Sequence, residues 1–439
     1  MHLVWENVIK TLILLWAGEY KGMDEGSGEY HLGPTVLEAI GAAGKASGDT
    51  IPSCFGPRIP HIAKERYYFI ADTWAMWTMS LGLSTTYTHF VALVQLLHLC
   101  LQFEISAADI NTIETGMAAW VKEFERLYYQ YERNRLPICT LPIHGLLHIA
   151  PSIRIVGPSW CYWAYPMERF CGSLLPAIKS RRYPWASIDR RILELAQLFQ
   201  IKAIYSLSKT LDLRRRRKLE TSGTALAEYP RCVLVHPRER RLVSATLRKQ
   251  ISEYLASIYN AAKQQIAALI PSHLKHWGKI QWLNGGDMMH SSEIGKHGTR
   301  DMTHVKVCTV ILYFVSPAIN ECFQFNGNYG QLRLLLVVEL APSGMLGTTT
   351  TKTHLLAVVA RSILTKKNRL EMPHTKGKFR AVEIIDADDL DIVVGRVADR
   401  NEHVFIERVG CGNVLEANDD PEEATVPRNH RQRRIQGVE

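Results

Sequence analysis

HGLLHIAPSIRIVGPSWCYWAYPMERFCGSLLPAIKSRRYPWASIDRR, residues 144–191, is the stretch around which the chain is organised. A single carboxylate, Glu168, lies among its tryptophan and tyrosine residues. Basic residues follow it, namely Lys179, Arg181, Arg182, Arg190 and Arg191. An acid among tryptophans beside a basic face fits a catalytic site, a DNA-binding site, or a core with a charged rim. The local composition leaves all three interpretations open.

Pro166 predicts the start of a helix just before Glu168. Proline favours the first turn because its fixed φ suits a helix and its missing N–H is not needed there. Near that helix start, the macrodipole stabilises the carboxylate of Glu168. The helix is expected to bury a stripe that consists of Met167, Phe170, Cys171 and Leu174. A helix-stabilising acid is therefore the simplest interpretation of Glu168, and a catalytic carboxylate is the alternative.

Positive charge is concentrated in one part of the chain. The 439 residues carry a net charge of +9, whereas residues 169–248 hold 18 Lys or Arg against six Asp or Glu, a net charge of +12. Such a segment favours a phosphate-bearing partner, here DNA. The alternatives are a solvated face or, for the run RRRRK, a nuclear-import signal. The candidate DNA-binding residues are Lys179, Arg181, Arg182, Arg190, Arg191, Arg214, Arg215, Arg216, Arg217 and Lys218.

Cysteine and histidine patterns predict no metal site or disulfide scaffold. The nine cysteines are scattered and contain no CxxC pair, which fits a reducing compartment. His144 and His148 have the i, i+4 spacing of two ligands on one helical face. Neither the glutamate of an HExxH motif nor a third ligand accompanies them, so ordinary core or surface histidines fit better.

The first 16 residues contain an apolar run that is interrupted by Glu6, Asn7 and Lys10. The run is too short and too polar for a membrane anchor or a signal peptide. We therefore expect a buried amphipathic helix and no membrane partner. Its buried face is predicted to comprise Val4, Val8, Leu12, Leu15 and Trp16.

Four regions follow from the patterns along the chain. Residues 1–140 are predicted to be helical, and residues 141–287 helical and basic. Residues 288–415 are predicted to form a small β-rich barrel or sandwich, and residues 416–439 a disordered tail because they are almost devoid of apolar residues. The expected fold class is therefore α+β, mainly helical and followed by a small β-rich domain.

Particular elements are predicted inside these regions. The expected helices include Pro34–Ser47, Ser187–Leu207 with Ser187 as its cap, and one long helix over Lys249–Ile270. A capping box at Ser106–Asp109 predicts the start of a further helix. Six β-branched runs predict strands, at Val305–Val315, Leu332–Leu340, Leu355–Ser362, Phe379–Ile385, Ile392–Val397 and Val404–Val409.

The run His148–Leu175, with GPSWCYWAYPMERFCGSL at its heart, resembles the region after the catalytic core of CACTA-type (En/Spm-like) DNA transposases. That family typically shows the pattern H-x8-GP-x4-W-x2-P-(F/M)-ERF-x-G. The matching residues are His148, Gly157, Pro158, Trp163, Pro166, Met167, Glu168, Arg169, Phe170 and Gly172. Residues 52–82, 87–103, 120–131 and about 300–410 are similar to the version carried by mushroom-forming fungi. The resemblance covers nearly the whole chain up to the tail.

The resemblance implies an RNase H-like fold whose three carboxylates, a DDE triad, hold two divalent metal ions. The metals activate a water or a DNA 3′-OH. Glu168 would be the third carboxylate and a Mg²⁺ ligand in a full-length relative, and residues 1–140 would be the helical insertion before it. The chain starts at Met1-His2-Leu3, where the family continues from Asp-x-Met-His-Leu, so the core strands and the first two carboxylates are expected to be missing.

We therefore expect a truncated, transposase-like fragment that contacts DNA in the nucleus, uses no cofactor and is catalytically inactive alone. One alternative is a non-catalytic nuclear protein-interaction module, in which the basic runs only direct import. If the chain is not nuclear, the cytoplasm is the expected location. A second alternative is part of an active DDE transposase whose N-terminal part is absent from this sequence. Self-association is compatible with each of these hypotheses.

Overall fold

The structure is a computed structural model that describes residues 2–23, 30–80, 88–180, 182–208, 210–211, 223–283, 286–294, 300–311, 324–344, 349–368 and 370–408. Within these residues a layer of helices comes first, and an antiparallel sheet that curls into half a barrel follows. The predicted α+β class is therefore confirmed. Arg181, the run Arg214–Lys218 and the tail 416–439 lie outside the described residues.

The chain begins with a π-helical segment, His2–Ile9, that continues into the first α-helix. The α-helices of the described residues are α1 (Lys10–Trp16), α2 (Pro34–Ser47), α3 (Ile62–Glu65), α4 (Ala71–Ser80), α5 (Thr88–Cys100), α6 (Ala107–Phe124), α7 (Leu141–Gly145), α8 (Ile149–Val156), α9 (Tyr165–Leu174), α10 (Pro184–Ile204), α11 (Ala245–Tyr259) and α12 (Lys263–Leu269). None of them is long and apolar enough to cross a membrane.

The N-terminal helix is buried, as its apolar periodicity predicts. All five residues of the predicted face, from Val4 to Trp16, are buried. The indole N–H of Trp16 donates a hydrogen bond to the Tyr128 hydroxyl over 3.0 Å, so a residue near the chain start is fixed to the π-helical segment Glu125–Tyr129 that follows α6. At the start of α6, the predicted capping box is present: the Asp109 N–H donates to the Ser106 hydroxyl, and the Ser106 N–H donates to the Asp109 carboxylate.

The strands are β1 (Thr224–Leu226), β2 (Tyr229–Leu242), β3 (His273–Trp282), β4 (Met288–His290), β5 (His304–Ile311), β6 (Gln324–Leu340), β7 (Lys352–Lys367), β8 (Pro373–Asp386), β9 (Leu390–Val393), β10 (Gly395–Asp399) and β11 (Glu402–Ile406). Their main order is β1-β2-β3-β6-β7-β8-β11-β10, with β4 beside β3 and β5 between β6 and β9. The long strand β6 pairs with β5 over residues 324–331 and with β3 over residues 335–337. It therefore changes its neighbour along its length and links the two parts of the curled sheet.

Each of the six predicted runs overlaps a strand, but the sheet also begins earlier than predicted. Strands β1, β2 and β3 lie within residues 141–287, which were expected to be helical and basic with no strands, so that prediction is wrong there. The two prolines and four arginines of β2 hide its strand pattern. Strand β1 covers only one end of β2, and a strand edge tolerates proline and favours charge.

The long helix predicted over Lys249–Ile270 is in fact two helices. Asn260 adopts a left-handed conformation that ends α11, and α12 starts three residues later. Both helices cover one face of the sheet, where Ile251, Leu255 and Ile266 join the core that contains Leu336 and Leu356. Trp277, Ile280 and Leu335 belong to a separate core on the opposite face of the sheet.

The segment after α2 joins the helical layer to the sheet. The Thr50 hydroxyl donates to the Arg396 carbonyl over 2.5 Å, and the Arg396 N–H donates to the Thr50 carbonyl over 3.0 Å. Val397 of β10 and Ile406 of β11 are part of the helical core. The two layers therefore pack as one body around this junction.

Alanine at Gly41 should destabilise the helical layer. Gly41 is buried in α2, and a Cβ there would lie 2.2 Å from Cε1 of the His61 ring. His61 is buried, and its Nε2 lies 3.3 Å from a Glu38 carboxylate oxygen, so the ring has little room to move. Overpacking costs about 1–3 kcal/mol, which exceeds the gain of roughly 1 kcal/mol that alanine gives a helix.

The control for this prediction is Gly172→Ala in α9, where no atom lies within 4 Å of the added Cβ. Thermal unfolding should give Gly41→Ala a lower midpoint than wild type and Gly172→Ala an equal or higher one. A Gly41→Ala protein as stable as wild type would contradict the close contact between α2 and His61.

Candidate nucleic-acid interface

Glu168 lies in the first turn of α9, as predicted. Pro166 occupies the start of the helix, and the Glu168 N–H donates to the Ala164 carbonyl over 2.9 Å. Its side chain is exposed. This position is favourable for a carboxylate through the helix dipole alone.

The stripe predicted to be buried on α9 is exposed instead. Met167 is 65 % exposed and Phe170 is 47 % exposed, Cys171 is exposed, and only Leu174 is partly covered. The prediction is wrong because periodicity identifies an apolar face and not the surface that covers it. Among the described residues, this face of α9 is therefore largely uncovered.

The surroundings of Glu168 do not fit a two-metal centre. No group of three His, Cys, Asp or Glu side chains that could hold a metal ion occurs in the described parts of the chain. Two divalent ions need several oxygen ligands at close range. We therefore derive no metal-dependent step from these residues.

Four of the candidate DNA-binding residues are described, and all four are exposed. Lys179 and Arg182 precede α10, whereas Arg190 and Arg191 lie in its second and third turns. Arg190 forms an i, i+4 pair with Glu194, with an N–O distance of 3.2 Å. The other three have no carboxylate partner within the described ranges.

Tyr183 adds an aromatic surface to this basic segment. The guanidinium of Arg182 lies 5.3 Å from the centre of the Tyr183 ring, and the ring itself is exposed. A cation over an exposed aromatic ring is an arrangement that can contact both a phosphate and a base. We call Lys179, Arg182, Tyr183, Arg190 and Arg191 the basic segment from here on.

The predicted histidine pair is brought together at the surface. The Nε2 atoms of His144 and His148 lie 3.1 Å apart, and both side chains are exposed. The distance is that of a hydrogen bond between the two ring nitrogens. No third ligand joins them in the part of the chain that the structure describes.

A second basic surface, on β8, is missing from the sequence-based prediction. Lys376, Lys378 and Arg380 are exposed and have no ion pair with any described residue. The strand bulges at Gly377, whose φ is +72°, so a step of two residues along β7 is matched by four along β8 there. The sequence signal was the alternation of basic residues in TKGKFR, which is brief and interrupted by the glycine.

A buried polar junction lies where the sheet meets the helices. One carboxylate oxygen of Asp301 accepts from Arg396 over 2.6 Å and lies 3.0 Å from Nδ1 of His304, and the other accepts from the Thr303 hydroxyl over 2.7 Å. Burial alone would raise the pKa of Asp301, but the hydrogen bonds from His304 and Thr303 outweigh it and hold that pKa well below its usual range. Burial lowers the pKa of His304. A neutral His304 that donates a hydrogen bond to an ionised Asp301 agrees with the lowered pKa of each group.

No protein-family model matches this sequence. Comparison with curated proteins and comparison with solved structures found no match either. The transposase resemblance therefore rests on the residues quoted for it above.

Proposed function

We propose that the chain is a transposase-related DNA-binding protein that holds the phosphate backbone through its basic segment. The observation that supports this function is the exposure of Lys179, Arg182 and Arg191 without a carboxylate partner among the described residues. Cations of this kind release the counterions of DNA when they contact phosphates, which is the main source of sequence-independent affinity. The run Arg214–Lys218 follows in the sequence and would add to the same charge.

The enzymatic part of the proposal concerns a longer relative. There Glu168 would be the third carboxylate of an RNase H-like DDE centre and would bind Mg²⁺, whereas this chain would not cleave DNA alone. The uncovered apolar face of α9 supports this role, because it gives the helix a surface on which a catalytic core could pack. Nuclear localisation belongs to the same proposal and rests on the run Arg214–Lys218.

A second candidate function is a nuclear protein-interaction module without DNA affinity. The observation that favours it is a concentration of exposed large apolar side chains. Of the 28 such side chains in the described parts of the chain, 15 lie between residues 155 and 205. Exposed apolar patches of this extent commonly mark protein interaction sites. Replacing Arg214–Lys218 with glutamine separates the two: lost nuclear entry with unchanged DNA binding favours the interaction module.

Fluorescence anisotropy with a labelled duplex oligonucleotide tests DNA binding directly. The variant Lys179→Gln/Arg182→Gln/Arg190→Gln/Arg191→Gln should bind at least about tenfold more weakly than wild type at low salt, because it lacks four cations that would lie near phosphates. The matched control removes four exposed lysines elsewhere, Lys10, Lys122, Lys263 and Lys352, and should retain most of the affinity. Wild-type protein without salt-sensitive binding would contradict the proposal.

A further inference from the structure

Helix α10 exposes an apolar seam with coiled-coil spacing. Its members recur at alternating intervals of three and four residues, namely Trp185, Ile188, Ile192, Leu195 and Phe199. An interval that averages 3.5 residues keeps a stripe on one side of a helix that winds around another helix. The helix has 21 residues and is about 31 Å long, so it presents the seam over nearly its whole length.

The seam is largely uncovered in the described structure, with Ile188 and Leu195 partly buried. Helix α10 has no buried residue at all. Trp185 is 75 % exposed, Phe199 is 73 % exposed and Ile192 is 42 % exposed. A helix with so many apolar side chains is stable in water only when another surface covers it.

The polar residue at the end of the seam indicates what covers it. Lys202 continues the interval of three after Phe199 and so occupies a seam position. In a parallel pair of identical helices, Lys202 of each copy would face the other and repel it. In an antiparallel pair, Lys202 lies opposite Trp185, where the lysine stem and ammonium can lie over the indole ring.

The same register matches the remaining residues of the seam. Ile188 lies opposite Phe199, and Ile192 lies opposite Leu195, so each apolar residue meets an apolar residue. In an antiparallel pair, the positive end of each helix macrodipole also lies beside the negative end of the other, which favours the pair. Arg190 lies on the side of α10 away from the seam, where it pairs with Glu194, and Arg191 lies beside the seam.

We propose that a second copy of this chain covers α10, and that the two helices pair in the antiparallel register with Trp185 opposite Lys202. The dimer presents the two basic segments near opposite ends of the helix pair. The pairing does not depend on the proposed DNA binding. A monomer that binds DNA would overturn the pairing and leave the DNA-binding proposal intact.

Sedimentation velocity over a broad concentration series tests the pairing on the full chain. Wild-type protein should shift from the 49.8 kDa monomer to the dimer as its concentration rises. Phe199→Asp should stay monomeric with unchanged circular dichroism, because the side chain is exposed in the monomer. The control Gln197→Asp, on the opposite side of α10, should dimerise like wild type. A wild-type protein that stays monomeric, or a Phe199→Asp protein that dimerises as strongly, would overturn the inference and assign the seam to a different protein.

A charge-swap series tests the register. Trp185→Lys should weaken the dimer strongly, because the introduced lysine faces Lys202 of the other copy. Adding Lys202→Glu to that variant should restore dimerisation in the antiparallel register, where the introduced lysine and the introduced glutamate meet across the pair. In a parallel pair the second change brings like charges together and gives no recovery, which would overturn the proposed register.

Discussion

Replacing Asp301 with alanine should lower the free energy of unfolding by about 2–4 kcal/mol, because Arg396 would lose its charged partner at a largely buried junction. The Asp301 carboxylate contacts Arg396, His304 and Thr303, and the Asp301 backbone N–H donates to the Asp49 carbonyl over 2.8 Å. The junction therefore joins the loop before β5, the strand β10 and the end of the α2 segment.

The matched control is Asp388→Ala. Asp388 pairs with Arg231 over 3.1 Å, but both side chains are well exposed, and such pairs contribute at most about 1 kcal/mol. Urea unfolding of the two variants beside wild type measures the difference. Equal losses in the two variants would show that the buried junction contributes no more than a surface pair.

Acidification below about pH 6.5 should destabilise the fold, because several histidines are held neutral in it. Burial is the largest cause that lowers the pKa of each of these side chains, which are His89, His98, His276, His304, His354 and His403. A lowered folded pKa means that the unfolded chain takes up the proton first as pH falls. Stability is therefore fully present above the unfolded pKa and is lost below it.

Each neutral histidine adds up to about 1.4 kcal/mol per pH unit to this slope. Urea midpoints measured between pH 7.5 and 5.5 should change little above about pH 6.5 and fall below it. His276 is the most informative single site, because it is buried and neither ring nitrogen has a hydrogen-bond partner in the described structure. His276→Leu should flatten the pH dependence. Midpoints that rise on acidification would contradict the lowered pKa values of these histidines.

Periodicity predicted most of the helical layer because its helices bury their stripes against one another. The span of α2, the capping box at Ser106 and the buried N-terminal helix all follow from local sequence. Strand β2 was missed because its prolines and arginines resemble a loop, and the position of a strand at the edge of a sheet cannot be read locally. The break at Asn260 was missed because apolar spacing continues across it.

The candidate site was predictable in its composition but not in its surroundings. The position of Glu168 at a helix start follows from Pro166. Whether a neighbour covers the helix depends on residues far away in sequence, so the exposed face of α9 was not predictable. Asp301 and Arg396 are 95 residues apart, and only the pairing of the sheet brings them together.

Two surfaces define how this chain is proposed to act. The basic segment would hold DNA, and the seam of α10 would bring two copies together. The two surfaces share no residue, so each can be removed without the other. The variants at Phe199 and at the basic segment are therefore expected to have independent effects.

The salt dependence of DNA binding tests the central proposal most directly. For wild-type protein, the logarithm of the binding constant should fall linearly with the logarithm of salt concentration, because phosphate contacts release counterions. For the variant with Lys179, Arg182, Arg190 and Arg191 changed to glutamine, the slope should be shallower by roughly 0.9 for each phosphate that is no longer neutralised. Identical slopes for the two proteins, or no measurable binding by wild type at low salt, would contradict DNA contact through the basic segment.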